Sequence, residues 1–381
     1  MANGKRPFVV FFLVAASACI VALFFYAGIT HPPTADSDDI LRKVPPGTTH
    51  IRVGVPTWGG FAGGQYFNEG FNPSTESRYY KNFRILVSFV VMDDIPASRE
   101  VWKRGDIDVI SATADSLAPE IETFLSEEPR VIFQSDWSRG GDAIIVDRSI
   151  HMPEELKGKR VAFLPASPSH TLLLHVLDTA KLNYRDLQLV ETTSARDAAT
   201  LFKNGKVDAA VVWSPDDEDC ESGARRCVKS VAGSRILSST THAPDIIADV
   251  FFAKKSYIEK HRDALRYLIQ GWMIGNAEIN ESVEARSRAA RILSVGMRQP
   301  VGFCAEAMKK VRLVTYGDNR IFFGLDKRST NVTAEDLYTR MAARYKSLHL
   351  APENAPAWKQ IVDTSILSTV TGLTGNQSPE N

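Results

Sequence analysis

Short apolar runs alternate with amphipathic stretches from about residue 50 onward, and the spacing of the apolar residues distinguishes strands from helices. The alternation of the two predicts an α/β fold in which parallel sheets carry helices on both faces. The predicted strands are Ile51–Val55, Phe83–Met92, Ile107–Ile110, Val131–Phe133, Ala143–Val146, Val161–Leu164, Leu187–Val190 and Ala209–Trp213, and the predicted intervening helices are Asp115–Leu125, Ser169–Leu182 and Ser194–Asn204.

The pattern after about residue 250 is mostly helical. It predicts helices at Ser256–Ile279, Ala285–Leu293 and Gly302–Val311. A further helix is predicted to begin after Thr333, because Asp336 stands three residues later in an arrangement that resembles a capping box. Residues from Thr371 onward are rich in Gly, Ser, Asn and Pro, which predicts a frayed tail.

The N-terminus carries a separate signal. Lys5 and Arg6 precede an uncharged, mostly apolar run from Phe8 to Ile29, which is long enough to cross a membrane as a helix. The basic residues favour an N-terminus in the cytoplasm and a protein body on the outer side of the membrane. An uncleaved anchor is favoured over a cleaved signal peptide, because the apolar run is longer than a signal peptide requires. The Pro-rich residues 31–48 are predicted to be a linker.

Composition narrows the function classes. The chain has 381 residues, with 45 Lys and Arg against 45 Asp and Glu, so there is no basic surplus for binding nucleic acid. The hydrophobic share of 44% is typical of a folded globular protein, and the length suggests two lobes.

Two of the four cysteines stand close together in a polar stretch. Outside the cytoplasm, Cys220 and Cys227 favour a local disulfide over a metal site, with two free thiols as the alternative. Cys304 has apolar neighbours in a helical pattern and is predicted to pack in a core.

The common sequence signatures of catalysis do not occur in the chain. His170 and His175 are five residues apart, so they project about 140° apart around a helix and cannot share a metal ion. We therefore predict a protein that is not an enzyme and that has no cofactor and no metal site.

Small hydroxyl residues end two of the predicted strands just before a helix begins. Ser111 and Thr113 follow one strand, and Ser167 and Ser169 follow another, with Ser167 placed to cap a helix that has Pro168 at its first position. Ligands of open α/β sheets bind beyond the carboxyl ends of strands, near helix N-termini. The combination predicts a binding cleft.

Several segments of the sequence resemble a known family. Glu155-Leu156-Lys157-Gly158-Lys159-Arg160-Val161-Ala162, Ser167-Pro168-Ser169-His170, Asn204-Gly205-Lys206-Val207-Asp208-Ala209 and Trp213-Ser214-Pro215 are similar to segments of the ABC-importer solute-binding proteins for nitrate, sulfonates and taurine, and of the related binders of a thiamine pyrimidine precursor. The resemblance implies a type II periplasmic-binding-protein fold, in which two α/β lobes with central mixed sheets are joined by two crossover strands. The implied boundaries are 49–143 for the first part of lobe 1, 144–245 for lobe 2, 246–349 for the second part of lobe 1 with C-terminal helices, and 350–381 for a tail.

The resemblance also implies where a ligand binds. Ser167, Ser169 and His170 would line the side of lobe 2, with Trp213 and Ser214 at the end of a neighbouring strand. The facing residues from lobe 1 would be Thr57, Trp58, Ser111 and Thr113.

The charge of the ligand stays open at this stage. Hydroxyls and a helix N-terminus favour an oxyanion, and Arg139 could hold that group in a bidentate fashion. Asp216, in an acidic run, could instead hold an ammonium group, which would fit a zwitterion or an amine.

The predicted function is that of an extracytoplasmic solute-binding protein. It would be a monomer tethered to the inner membrane of a bacterium, or released to the periplasm if the N-terminus is cleaved, and it would capture a sulfonate, nitrate or taurine-like zwitterion and present it to an ABC permease. The alternative is a membrane-tethered sensor or scaffold of the same fold that signals to an envelope partner.

Overall fold

The computed structural model describes residues 44–214, 233–326, 332–371 and 373. The predicted membrane helix, most of the predicted linker, Asp216, Cys220 and Cys227 lie outside these residues. Within the described ranges, no helix combines the length and the apolarity that crossing a bilayer requires.

The strands of the described ranges form two separate sheets. The first sheet has six strands in the order β11-β4-β10-β3-β1-β2, and the second has five in the order β7-β6-β8-β5-β9. The strands are β1 His50–Val55, β2 Leu86–Val91, β3 Val109–Thr113, β4 Pro129–Ser138, β5 Asp142–Asp147, β6 Arg160–Phe163, β7 Gln188–Glu191, β8 Ala209–Trp213, β9 Ser234–Ser239, β10 Ala248–Lys254 and β11 Val311–Leu313.

Both sheets are mixed, as the family resemblance implied. The alternation of strands and helices alone had predicted parallel sheets, and neither sheet is wholly parallel. In the first sheet β1 pairs in parallel with β2 and β3, whereas β10 runs antiparallel between β3 and β4. In the second sheet β6 is parallel to β7 and β8, and β5 is antiparallel to β8 and β9. Strands β5 and β10, which each follow a crossing of the chain from one sheet to the other, run opposite to most strands of their sheets, and so does the short edge strand β11.

The α-helices cover the sheets. They are α1 Ala62–Phe67, α2 Arg78–Phe83, α3 Ile95–Arg104, α4 Leu117–Glu120, α5 Pro168–Thr179, α6 Ala195–Lys203, α7 Lys255–Glu281, α8 Val283–Met297, α9 Val301–Lys309, α10 Tyr316–Phe322, α11 Ala334–Ser347 and α12 Trp358–Ile361. Short 3-10 helices lie at Gly59–Phe61, Ile121–Glu127, Pro153–Leu156, Tyr184–Asp186 and Leu367–Thr369.

Several predicted elements have other bounds in the structure, and two of these differences have a local cause. The predicted strand that began at Phe83 begins at Leu86, because Phe83 ends helix α2 and Arg84 takes a left-handed φ of 58° that stops the helix. The predicted helix over Asp115–Leu125 is only the short α4 followed by a 3-10 segment, in which Phe124 leaves the helical region with a φ of −134°.

The inner strands β5, β6 and β8 of the second sheet are buried on both faces, which explains why these strands read as continuous apolar runs. Ile144 and Val211 belong to the core on one face, whereas Ile145 and Val212 belong to the core on the other. Helix α6 covers one face with apolar residues at helical spacing, and Ser194 caps its first turn by accepting a hydrogen bond from Asp197 N at 3.1 Å.

The chain passes between the sheets twice, from β4 to β5 and from β9 to β10, and the two crossings are bonded to each other. Ser138 Oγ donates to Asp142 Oδ2 at 2.6 Å and lies 2.8 Å from Thr240 Oγ1. Thr240 Oγ1 also accepts from Gly140 N at 2.7 Å. These bonds hold the crossings side by side.

Helix α11 connects the two halves a third time, through side chains. Leu337 and Met341 pack in the core that lies against the first sheet. On the other side, Tyr345 Oη lies 3.2 Å from Thr171 Oγ1 of α5, and Arg344 Nη2 lies 2.6 Å from Asp178 Oδ1.

Part of the predicted tail is packed. Trp358 of α12 is buried with the residues around α11, and Ile366, Leu367 and Val370 are buried against the first sheet. Cys304 is buried and free, which confirms its predicted core packing.

Candidate functional site

A cavity of about 330 Å³ lies at the carboxyl ends of strands β1, β3, β6 and β8, between the two sheets. Pockets of this size can enclose a small organic molecule. The lining residues are Pro56, Trp58, Ile95, Pro96, Arg99, Glu100, Ser111, Ala112, Thr113, Ser116, Glu120, Thr123, Asp142, Leu164, Pro165, Ala166, Ser167, Pro168, Trp213, Ile247 and Asp249.

Five residues that the sequence singled out line this cavity together. Trp58, Ser111 and Thr113 come from the first sheet and its loops, and Ser167 and Trp213 come from the second. The structure therefore brings together residues that are separated by up to 155 positions along the chain. Their meeting point is the edge at which ligands of α/β sheets bind.

The loop that carries Ser167 is shaped by its own hydrogen bonds. Ser167 caps α5 by accepting from His170 N at 3.4 Å, and its Oγ donates to Leu164 O at 2.7 Å. The predicted cap with Pro168 at the first helical position is thus confirmed. Ala166 has a φ of 50°, a left-handed conformation that favours glycine.

Trp58 is held by contacts on two sides. Its Nε1 donates to Asp136 Oδ1 at 3.1 Å, and its ring lies so close to Gly141 that a Cβ there would come within 2.2 Å of it. Trp58 is nevertheless part of the cavity wall, so its exposed edge can contact a ligand. Gly60 is required for the same arrangement, because a Cβ at that position would come within 2.1 Å of the Asp136 carboxyl group.

Thr57 and Ser214 flank the cavity without lining it. Thr57 donates from its N and Oγ1 to the two carboxylate oxygens of Asp93, at 2.6 and 3.0 Å. Ser214 N donates to Gly141 O at 2.7 Å, and Ser214 Oγ lies 3.5 Å from Lys310 Nζ. Both residues fix the loops beside Trp58 and Trp213.

Ser169 and His170 point into the second half of the protein and are fully buried. His170 Nδ1 accepts from Ala166 N at 3.2 Å, so the ring supports the Ala166 loop from behind. Burial and the charge of Arg344 lower the pKa of His170 to about 3, which keeps the imidazole neutral. Ser169 Oγ and His170 Nε2 have no hydrogen-bond partner among the described residues.

Arg139 lies at the first crossing and does not line the cavity. Its Nη2 is 3.3 Å from Asp245 Oδ1, and its side chain is partly exposed. Burial is the main cause that lowers its pKa, and Asp245 opposes that shift. Arg139 therefore links the two crossings in this conformation.

The sequence analysis missed the charged groups of the lining. Arg99 of α3 is paired in a bidentate manner with Glu120, at 2.9 and 3.0 Å, and its Nη1 donates to Ser111 O at 2.8 Å. Asp142 begins β5, and Asp249 lies in β10 between apolar neighbours. A carboxylate inside an otherwise apolar strand was the available signal for Asp249.

Two α/β sheets that are joined by two crossings and enclose a cavity at their strand ends define a periplasmic-binding-protein-like fold. Comparison with solved structures supports this class. The chain superimposes on a ligand-binding component of an ABC-type import system from Staphylococcus aureus with a TM-score of 0.65 and 14% identity, covering 85% of this chain and 99% of that one. It superimposes on the periplasmic aliphatic sulphonate binding protein SsuA from Escherichia coli with a TM-score of 0.62 and 20% identity, covering 87% and 96%.

Two sequence comparisons give partial matches. Residues 141–281 match the family model described as NMT1/THI5 like. Over 147 residues the chain is 46% identical to a putative aliphatic sulfonates-binding protein of Escherichia coli strain K12. That alignment covers 39% of this chain and 43% of the relative, so it spans less than half of either protein. The resemblance to the solute-binding proteins, predicted from the sequence, is confirmed over these residues.

Proposed function

We propose that this chain is the solute-binding protein of an ABC importer, which captures a small molecule in the cavity between its two lobes. The observation that carries this proposal is the cavity itself, whose wall combines hydroxyl, carboxyl and indole groups from both sheets. The matches to solute-binding proteins support it. A periplasmic location, a permease partner and a monomeric state belong to the same proposal.

The mechanism follows from the way the cavity is built. Trp58, Ser111 and Thr113 move with the first sheet, and Ser167 and Trp213 move with the second. A solute that contacts both sets binds the closed form more tightly than the open form, and only that difference in affinity can shift the population toward closure. The permease would then recognise the closed form.

Calorimetry and small-angle scattering on one solute panel test this function. The panel consists of sulfonates, nitrate, taurine, amino acids and amines. We expect one compound of the panel to bind and to reduce the radius of gyration. A protein that binds no compound of the panel, or that binds without contracting, contradicts the proposal.

Three serine variants and one tryptophan variant locate the binding site. Ser111→Ala and Trp213→Ala remove groups of the lining and should each weaken binding by about tenfold, the effect of about 1.4 kcal/mol. Ser149→Ala is the exposed control and should leave the affinity unchanged. Ser169→Ala tests the role that the family resemblance implied. Because Ser169 lies behind the cavity, we expect a smaller effect than that of Ser111→Ala. Equal affinities in all four variants would place the site elsewhere.

A further inference from the structure

The cavity wall holds four carboxyl groups and one guanidinium group, and one of the carboxylates, Glu100, is paired with Lys103 at 2.8 Å. Among the described residues that line it, the charged side chains are the carboxyl groups of Glu100, Glu120, Asp142 and Asp249 and the guanidinium of Arg99. The guanidinium charge is matched by the bidentate contact with Glu120, and a third donor of Arg99 is used by Ser111 O. Arg99 therefore stabilises the wall and offers no unmatched positive charge to an anion.

Asp249 is the carboxyl group of the wall that lies beside a second buried carboxyl group. It is 8% exposed, lines the cavity, and stands opposite Asp136 in the pairing of β10 with β4. Asp136 is fully buried and accepts hydrogen bonds from Ser135 Oγ at 2.8 Å and from Trp58 Nε1 at 3.1 Å. Because these hydrogen bonds stabilise a negative charge on Asp136, Asp136 is the member of the pair that is ionised. Asp249 is the member that lines the cavity.

Electrostatics around the pair favour a positive group. Burial and the neighbouring charges of Asp136, Asp142 and Asp115 hold the pKa of Asp249 well above its usual value. The positive charge of Arg312 on β11 lowers the pKa of Asp136, but Arg312 also contacts Asp318 at 3.1 Å. The carboxylate charges that favour a proton on Asp249 also favour a cation beside it, whereas burial by itself does not.

A second polar group points to the same ligand. Ser111 is 6% exposed and lines the cavity, and its Oγ makes no hydrogen bond to any residue that the structure describes. Ser111 pairs with Phe251 and Thr113 pairs with Asp249 on adjacent strands, so Ser111 and Asp249 lie on one face of the sheet, two positions apart. A single small group can therefore contact both side chains.

We propose that the cavity selects a solute with an ammonium group, which binds between Asp249 and Ser111 while Trp58 and Trp213 cover its apolar part. This inference rests on the proposed function, because it names the class of solute for the same cavity. The ammonium donates to the carboxylate of Asp249 and to Ser111 Oγ, and the proton that Asp249 held passes to the solvent. Indole rings add a favourable contact with a cation.

Three probes that differ only in their polar group test the inference on the full chain. They are 2-phenylethylamine, 2-phenylethanesulfonate and 2-phenylethanol, measured by calorimetry. We expect the amine to bind at least about tenfold more tightly than the sulfonate. Its affinity should increase as the pH rises, because binding displaces the proton that the raised pKa keeps on Asp249. Asp249→Asn should abolish the preference for the amine, and the increase with pH in the wild-type protein is a second readout that needs no variant.

The outcomes separate this inference from the proposed function. A sulfonate that binds as tightly as the amine, or an amine affinity that falls with increasing pH, overturns the inference and leaves solute binding intact. The same conclusion follows if none of the three probes binds while the broader panel yields a solute without a cationic group. If neither the probes nor the panel bind, both proposals fail.

Discussion

Arg52 and Asp108 form a two-point ion pair across 56 positions of the chain, with Arg52 Nε 2.9 Å from Asp108 Oδ2 and Nη2 2.7 Å from Oδ1. Arg52 N also donates to the same carboxylate at 2.8 Å. The second sheet repeats the device, because Arg160 N, Nε and Nη2 contact Asp208 at 2.9, 3.1 and 2.8 Å. Each pair ties the start of one central strand to the loop that leads into its neighbour.

The two pairs differ in burial, and this difference predicts unequal costs of removal. The Asp108 side chain is 7% exposed and that of Asp208 is 32% exposed. Asp108→Asn should lower the free energy of unfolding by about 2 kcal/mol, and Asp208→Asn by about 1 kcal/mol or less, because solvent screens the second pair. Urea unfolding measures both. A larger loss for Asp208→Asn would contradict the argument.

Protonation of His170 should destabilise the fold in acid. Its pKa is about 3 in the folded protein and about 6.5 in the unfolded chain, so the unfolded state binds more protons between these values. The contribution of His170 to stability is complete above about pH 6.5 and is lost as the pH falls toward about 3. Between about pH 7 and about pH 5 the wild-type protein should lose about 2 kcal/mol more stability than His170→Asn.

His175 provides the control for this measurement. It lies one turn further along α5, where it is exposed, and burial lowers its pKa only moderately because Asp178 opposes the effect. His175→Asn should therefore change the pH dependence in the same direction but by less. Burial raises the pKa of Asp115 to about 6, so Asp115 adds stability as the pH falls, opposite to His170. Asp115 is present in all three proteins. Identical pH profiles for the wild type and His170→Asn would refute the prediction.

Thr240 connects the two chain crossings and should be sensitive to loss of its hydroxyl group. Thr240→Val keeps the shape of the side chain but removes the acceptor of Gly140 N and the partner of Ser138 Oγ. Gly140 N then has no acceptor, and Ser138 Oγ keeps only its bond to Asp142, so the free energy of unfolding should fall by about 1 to 3 kcal/mol.

Thr241→Val is the matched control for Thr240→Val. Thr241 is adjacent and exposed, so its substitution should have little effect. Thermal and urea unfolding of both variants give the comparison. Similar losses in the two would show that the hydroxyl of Thr240 does not stabilise the crossings.

The sequence predicted the elements whose pattern is local. Ser167 with Pro168, and Ser194 with the apolar spacing of α6, specify helix starts through contacts within four residues, and the structure has both. The same locality explains the meeting of Thr113 and Trp213 at one edge, since each is the last residue of a strand. Strand ends can be found from pattern without knowing which strands are neighbours.

The charged part of the site depended on pairings that no local pattern contains. Asp249 reaches the cavity because β10 inserts between β3 and β4, more than 100 residues away along the chain. The family resemblance implied that Ser169 and His170 line the cavity, but a step of about 100° per residue turns both inward, behind Ser167. The orientation of a helix face relative to a distant sheet is decided by tertiary packing.

Helix α11 gives the protein a restraint that the two covalent crossings do not provide. Tyr345 and Arg344 hold helix α5 from the far end of the chain, and the ring of Tyr345 lies 5.1 Å from that of His170. Any widening of the gap between the halves must slide or break these contacts, so the amplitude of opening depends on residues that touch no solute. A chain shortened before residue 334 would retain the whole cavity wall and yet lose this limit on how far the halves can part.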